Sequence, residues 1–193
     1  MNSDKKIYLA LTQTGTILSR AVKLVTRDEY NHISISLEKG LSSLYSFGRR
    51  YAYNPFVAGF VTESATSGTF GRFRNTLLLL LELPVEAWVY SAIGDELVDM
   101  ASRGREYKYN YLGLLLALFG KRRGYGTRFY CSEFVQYILS KYGLGLSRGA
   151  SEAIRPSEFS RLPGAKIIYE GKLSDYARVA SGEELPARAL WQM

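Results

Sequence analysis

The chain has one cysteine, Cys131, and one histidine, His32, and the surroundings of each suit nucleophilic catalysis. Cys131 stands in Arg-Phe-Tyr-Cys-Ser-Glu-Phe-Val. Apolar residues at Phe134, Val135, Ile138 and Leu139 then mark one face of a helix over 130–142, closed by Gly143 as its C-cap. The thiol therefore sits in the first helical turn. A thiol attacks as its thiolate, and unpaired N–H groups at a helix N-terminus stabilise that anion. An imidazole nearby takes the thiol proton and later protonates the leaving group. His32 is the histidine available for this role, and the backbone N–H groups around Cys131 and Ser132 are candidate oxyanion donors.

Those two side chains need a strand and a helix to bring them together. His32 opens the alternating run His-Ile-Ser-Ile-Ser-Leu, so His32, Ser34 and Ser36 share one strand face and Ile33, Ile35 and Leu37 the other. The serines leave room for a helix to approach the histidine face. On the return strand Ser43 and Tyr45 share a face and are the candidates to orient the imidazole, Tyr45 foremost, with a backbone carbonyl as the alternative. Glu133 points about 200° around the helix from Cys131 and is expected to pair with basic residues. Ser34, Ser43, Tyr130 and Ser132 are the candidate substrate contacts. The residues alone also allow a bland reading, in which Cys131 is a buried small hydrophobe and His32 a structural hydrogen-bonding group.

Along the chain, 7–12 reads as a strand and 17–25 as a short helix. Residues 31–37 and 41–47 read as a β-hairpin turning at Lys39-Gly40. Residues 48–74, rich in Gly, Ser, Asn and aromatics, read as a long loop with at most one short strand. A buried strand over 76–83 follows, and Pro84 is placed at the first position of a helix reaching about residue 103. Further expectations are a helix over 107–119, a basic glycine-rich loop over 120–127, one helical turn at 155–159 and a last strand over 165–169. The sum is an α+β fold, an antiparallel sheet with the cysteine helix packed on it.

With 193 residues, 47% of them hydrophobic and 22% charged, the chain fits one domain spanning 1–193. A lone cysteine cannot form an intrachain disulfide, no signal-peptide pattern opens the sequence, and the longest apolar runs fall short of the ~20 residues of a membrane span. A cytoplasmic protein is expected. The net charge of +7 comes from small clusters such as Arg49-Arg50, Arg72 with Arg74, and 121–123. These read as solvated faces or as a peripheral contact with an anionic surface, and no nucleic-acid-binding module surrounds them. No metal-ligand spacing is present, and no cofactor is expected.

The two motifs together resemble the circularly permuted, NlpC-type papain-like cysteine hydrolases, the YiiX-like group related to lecithin retinol acyltransferase. His32-Ile-Ser-Ile-Ser-Leu-Glu-Lys-Gly is similar to their histidine segment and Tyr130-Cys131-Ser132-Glu133-Phe134-Val135 to their cysteine segment. Histidine precedes cysteine in these proteins, whereas ordinary papain-like enzymes run the other way. The resemblance implies a permuted papain-like fold with Cys131 as nucleophile and His32 as base. It departs about twelve residues after the histidine, where relatives carry a polar residue and this chain has Leu44. The expected activity is amide hydrolysis on a small peptide or cell-wall fragment through a thioester. Acyl transfer or thioester hydrolysis with the same dyad is the alternative, and a non-catalytic basic module binding nucleic acid or anionic membrane is a second one.

Overall fold

The computed structural model describes residues 5–14, 28–51, 54–117, 119–121, 126–147, 149 and 152–182. Eight strands form one sheet: β1 (Lys5–Gln13), β2 (His32–Ser36), β3 (Leu44–Tyr51), β4 (Asn54–Glu63), β5 (Leu77–Val85), β6 (Lys108–Tyr109), β7 (Arg128–Phe129) and β8 (Lys166–Lys172). Their order is β7-β6-β4-β3-β2-β1-β5-β8. Neighbours run antiparallel except β6 and β7. The helices are α1 (Gly68–Arg72), α2 (Ala87–Ser102), α3 (Tyr111–Ala117), α4 (Cys131–Lys141) and α5 (Leu173–Ala180), with a 3-10 turn over Pro156–Arg161. The fold is α+β, and the cysteine-bearing α4 packs on the sheet against β2 and β3.

Alternation along the strands divides the core into two layers. Ile7, Leu9 and Leu11 of β1, Ile33 and Ile35 of β2, and Phe47 of β3 meet Val89, Ile93 and Leu97 of α2 and Phe134, Val135 and Ile138 of α4. On the opposite face Tyr8 and Ala10, with Leu44, Leu78 and Leu80, pack under Phe70 of α1 and Leu173 and Tyr176 of α5. β5 is the run Leu-Leu-Leu-Leu-Leu-Glu-Leu-Pro-Val, which buries leucines into both layers, as a strand covered on two sides must.

Several expectations are corrected. Residues 48–74 are not mainly loop, because β3 continues to Tyr51 and β4 runs ten residues from Asn54 to Glu63. Gly59 is a point of close approach rather than a turn: a Cβ there would lie 2.6 Å from the Tyr107 carbonyl oxygen. Pro84 pairs with Lys6 inside β5, and α2 begins three residues later behind Glu86 as N-cap. The helix expected over 107–119 is interrupted at its start, since Lys108 and Tyr109 join the sheet before α3 begins. Helix α5 follows β8 where no element was expected. The helix expected over 17–25 lies outside the described residues. The hairpin, the cysteine helix and the turn at 155–159 match their expected places, and Gly143 takes a positive φ of 70° just past α4.

Candidate active site

One end of the sheet gathers the residues with chemical potential. His32 opens β2, Arg49 lies near the end of β3 opposite Ala58 of β4, and Tyr109 of β6 pairs with Phe129 of β7. Two residues beyond Phe129, Cys131 begins α4 with Tyr130 as its N-cap. The short parallel pair of β6 and β7 thus delivers the cysteine to the sheet.

Cys131 is a buried free thiol. Burial pushes it up to about 11, and backbone hydrogen bonds at Ile33, at Ser132 and within Cys131 itself oppose that rise, as does the Ser132 side chain. These polar contacts meet the sulfur where the helix-start argument places anion-stabilising groups, but desolvation outweighs them. The thiol therefore rests neutral, touching the strand residue that follows His32.

His32 is held neutral as well. Burial pushes it down to about 4, and the Arg49 guanidinium adds to the effect. Arg49 also pulls on Tyr109, whose phenol burial raises well above its usual range, with the Cys131 thiol among the groups adding to that rise. Glu63 of β4 is raised by burial, while a hydrogen bond with Thr69 and the Arg49 charge draw it back. Arg49 is therefore felt by His32, Glu63 and Tyr109 together.

The faces of the sheet correct one expectation. In the β1–β2 ladder Thr12 pairs with His32, Ala10 with Ser34 and Tyr8 with Ser36, whereas Leu11 pairs with Ile33 and Leu9 with Ile35. Helix α4 lands on the Ile33 and Ile35 face, not on the serine face that carries His32. Apolar area decides this, because burying two isoleucines under Phe134 and Val135 is favourable by several kcal/mol at roughly 25 cal/mol per Å². The serines instead lie buried with their hydroxyls engaged: Ser46 donates to the Ile33 carbonyl at 2.6 Å and Ser36 to the Glu38 carbonyl at 2.9 Å.

The remaining candidates take varied places. The Ser34 hydroxyl lies 3.5 Å from His32 Nε2. Tyr45 pairs with Ile35, and its ring packs 6.3 Å from that of Phe60 on the apolar face, so it does not orient the imidazole from the His32 face. Ser132 donates to the Ile154 carbonyl at 2.7 Å, which ties down the first turn of α4 instead of facing a substrate. Tyr130 is buried against Ala117 and Ala153, and Ser43 is half-buried at the hairpin.

Three residues outside the sequence-based set belong to this region. Gly48 faces the His32 ring, and a Cβ there would sit 3.6 Å from His32 Cε1 and 3.5 Å from Val61 Cγ2. Asn110 is buried; its side chain accepts from the Gly113 N–H at 2.8 Å and donates to Glu133 at 3.1 Å. Glu133 thus has a neutral amide among its partners. Asn110 directly precedes α3, and an asparagine before an apolar helical run is a capping signal visible in sequence. The third is Arg49, whose role no spacing rule would single out from a basic cluster. Beside Val61 a cleft of about 420 Å³ opens on the His32 face, lined by Arg49, Arg50, Glu63, Thr69 and Arg72.

Among the described residues no group of three or more His, Cys, Asp or Glu side chains is placed to hold a metal ion, and no helix is long and apolar enough to cross a membrane. No protein-family model matches the chain, and comparisons with curated proteins and with solved structures return no match.

Proposed function

We propose that this chain is a cysteine hydrolase of the permuted papain-like, NlpC type, acting on amide bonds of small peptides or cell-wall fragments. The observation that carries the reading is the setting of Cys131. It is the chain's one thiol, at the first position of an eleven-residue helix, with backbone hydrogen bonds from two elements meeting its sulfur. Its contact at Ile33 lies one residue from the one imidazole.

Neutral His32 accepts the thiol proton as Cys131 Sγ attacks the substrate carbonyl. The C–S bond forms, the carbonyl π electrons move to oxygen, and backbone N–H groups at the start of α4 hold that oxyanion. Collapse of the intermediate breaks the C–N bond, and the imidazolium returns its proton to the departing amine. Water activated by the same imidazole then cleaves the thioester and regenerates the thiol. The reading asks one movement of the protein: the His32 side chain must turn from the face it shares with Ser34 toward the end of β2 that meets Cys131.

The test is the rate of Cys131 modification by a small acyl-mimicking electrophile as a function of pH, read by intact mass. With His32 acting as base, the rate rises as the imidazole becomes neutral above about pH 4 and stays level through neutrality. In His32→Ala only the thiolate reacts, so at pH 7 the rate falls about 100-fold and climbs toward the high ionisation point of the thiol. Superimposable profiles for the two proteins would overturn the assignment of His32. Absence of any acyl-enzyme with a panel of peptides, amides and thioesters would overturn hydrolysis itself.

A further inference from the structure

The outward face of α3 has a composition that a water-facing helix avoids. From Tyr111 to Gly120 the sequence Tyr-Leu-Gly-Leu-Leu-Leu-Ala-Leu-Phe-Gly contains no charged residue. The buried residues of α3 are the small Gly113 and Ala117; Leu114 packs partly against the interior, and several large side chains are left outside. Tyr111 is 47% exposed, Leu112 49%, Leu115 54%, and Phe119 in the turn beyond the helix 74%. At about 100° per residue, Tyr111, Leu112 and Leu115 fall on one arc of the helix. Scattered exposed apolar residues are ordinary, but a contiguous set of them marks a contact surface.

The rim of this surface is cationic. Lys108 of β6 and Arg128 of β7 are exposed on paired strands that lead into α3 and α4. Exposed Lys121 follows the turn after Phe119, and the sequence continues Lys-Arg-Arg over 121–123. Glu152, bridged to Lys121 through the backbone, places one carboxylate on the same rim. Large apolar side chains surrounded by lysine and arginine make the pattern of a segment lying in the interface of an anionic bilayer. The leucines and phenylalanine enter the acyl boundary while the cations stay among the headgroups. We infer that Tyr111, Leu112, Leu115 and Phe119 dock this protein onto a negatively charged membrane surface, with Lys108, Lys121 and Arg128 contacting lipid headgroups. The inference is independent of the chemistry at Cys131.

Co-sedimentation with vesicles of phosphatidylcholine, with and without about one-third phosphatidylserine, tests it. The native protein is expected to pellet with anionic vesicles and to stay in the supernatant with neutral ones. The variant Leu115→Ser/Phe119→Ser, which changes only exposed positions, should lose at least tenfold in partitioning at unchanged melting temperature. Replacing Lys108, Lys121 and Arg128 by Gln should cost about fivefold per cation. In Phe119→Trp the indole emission should shift to the blue on addition of anionic vesicles. Native protein that remains in the supernatant with both vesicle types overturns the inference, as does equal binding to both. A dimer in sedimentation equilibrium that Leu115→Ser/Phe119→Ser dissociates, without vesicle binding, would assign the face to a second copy of the chain and equally overturn it.

Discussion

Burial and Arg49 hold the His32 pKa at about 4, so the imidazole is neutral at pH 7. The same fact has a cost in stability. The unfolded chain takes up a proton near the ordinary value of 6.5 and the folded chain near 4, so between these pH values the unfolded state binds more protons. Stability therefore declines as pH falls through that window and levels off below it. Allowing for the partial exposure of the residue at the start of β2, the loss is about 2 kcal/mol. Urea titrations at pH 7 and pH 4 should show this decline in the native protein, and a shallower one in His32→Gln; identical slopes would mean that His32 is solvated. At this scale the sequence was informative about types and positions. The apolar spacing after Cys131 places it in a first helical turn, and strict alternation places His32 at a strand start. Which sheet face receives the helix was not legible. Alternation defines two faces without ranking them, and the ranking came from isoleucine burial against serine hydroxyls that find carbonyl partners nearby, Ser46 at Ile33 and Ser36 at Glu38 in the turn beyond β2.

Elements were legible where one signal dominated, as in the hairpin and in α4, and illegible where glycine or proline carried two meanings. Gly59 was read as loop material, yet it is the point where β4 passes beneath the Tyr107 carbonyl. Pro84 signals a helix start but sits in β5, at a position where the ladder tolerates a missing donor. Gly113 lowers helix propensity, and its reason lies in space: a Cβ there would stand 2.1 Å from Asn110 Nδ2. Gly113→Ala should therefore displace Asn110, break its link to Glu133, and destabilise the protein by about 2 kcal/mol. The displacement would also loosen the first turn of α4. Chemical denaturation measures the first effect, and faster amide hydrogen exchange at residues 131–134 the second. An unchanged midpoint would show that Asn110 yields without cost.

For the whole molecule, the sheet order decides where damage spreads. β1 lies between β2 and β5 and contributes Leu9, fully buried, to the layer shared by α2 and α4. Leu9→Ala should cost about 3 kcal/mol, whereas Ile167→Ala, exposed on the outer strand β8, should cost under about 0.5 kcal/mol; equal losses in urea unfolding would contradict a core centred on β1. The two ends of the same order have a different consequence. On one side the sheet ends in β7, two residues long. On the other it ends in β8, which carries Lys166, Glu170 and Lys172 and slips register opposite Leu80 and Leu81. A two-residue rim and a charged, irregular rim give a foreign strand little to zip onto. Copies of this chain crowded together should thus resist growing into fibrils by strand addition, and any clustering should proceed through the greasy helix surface of α3.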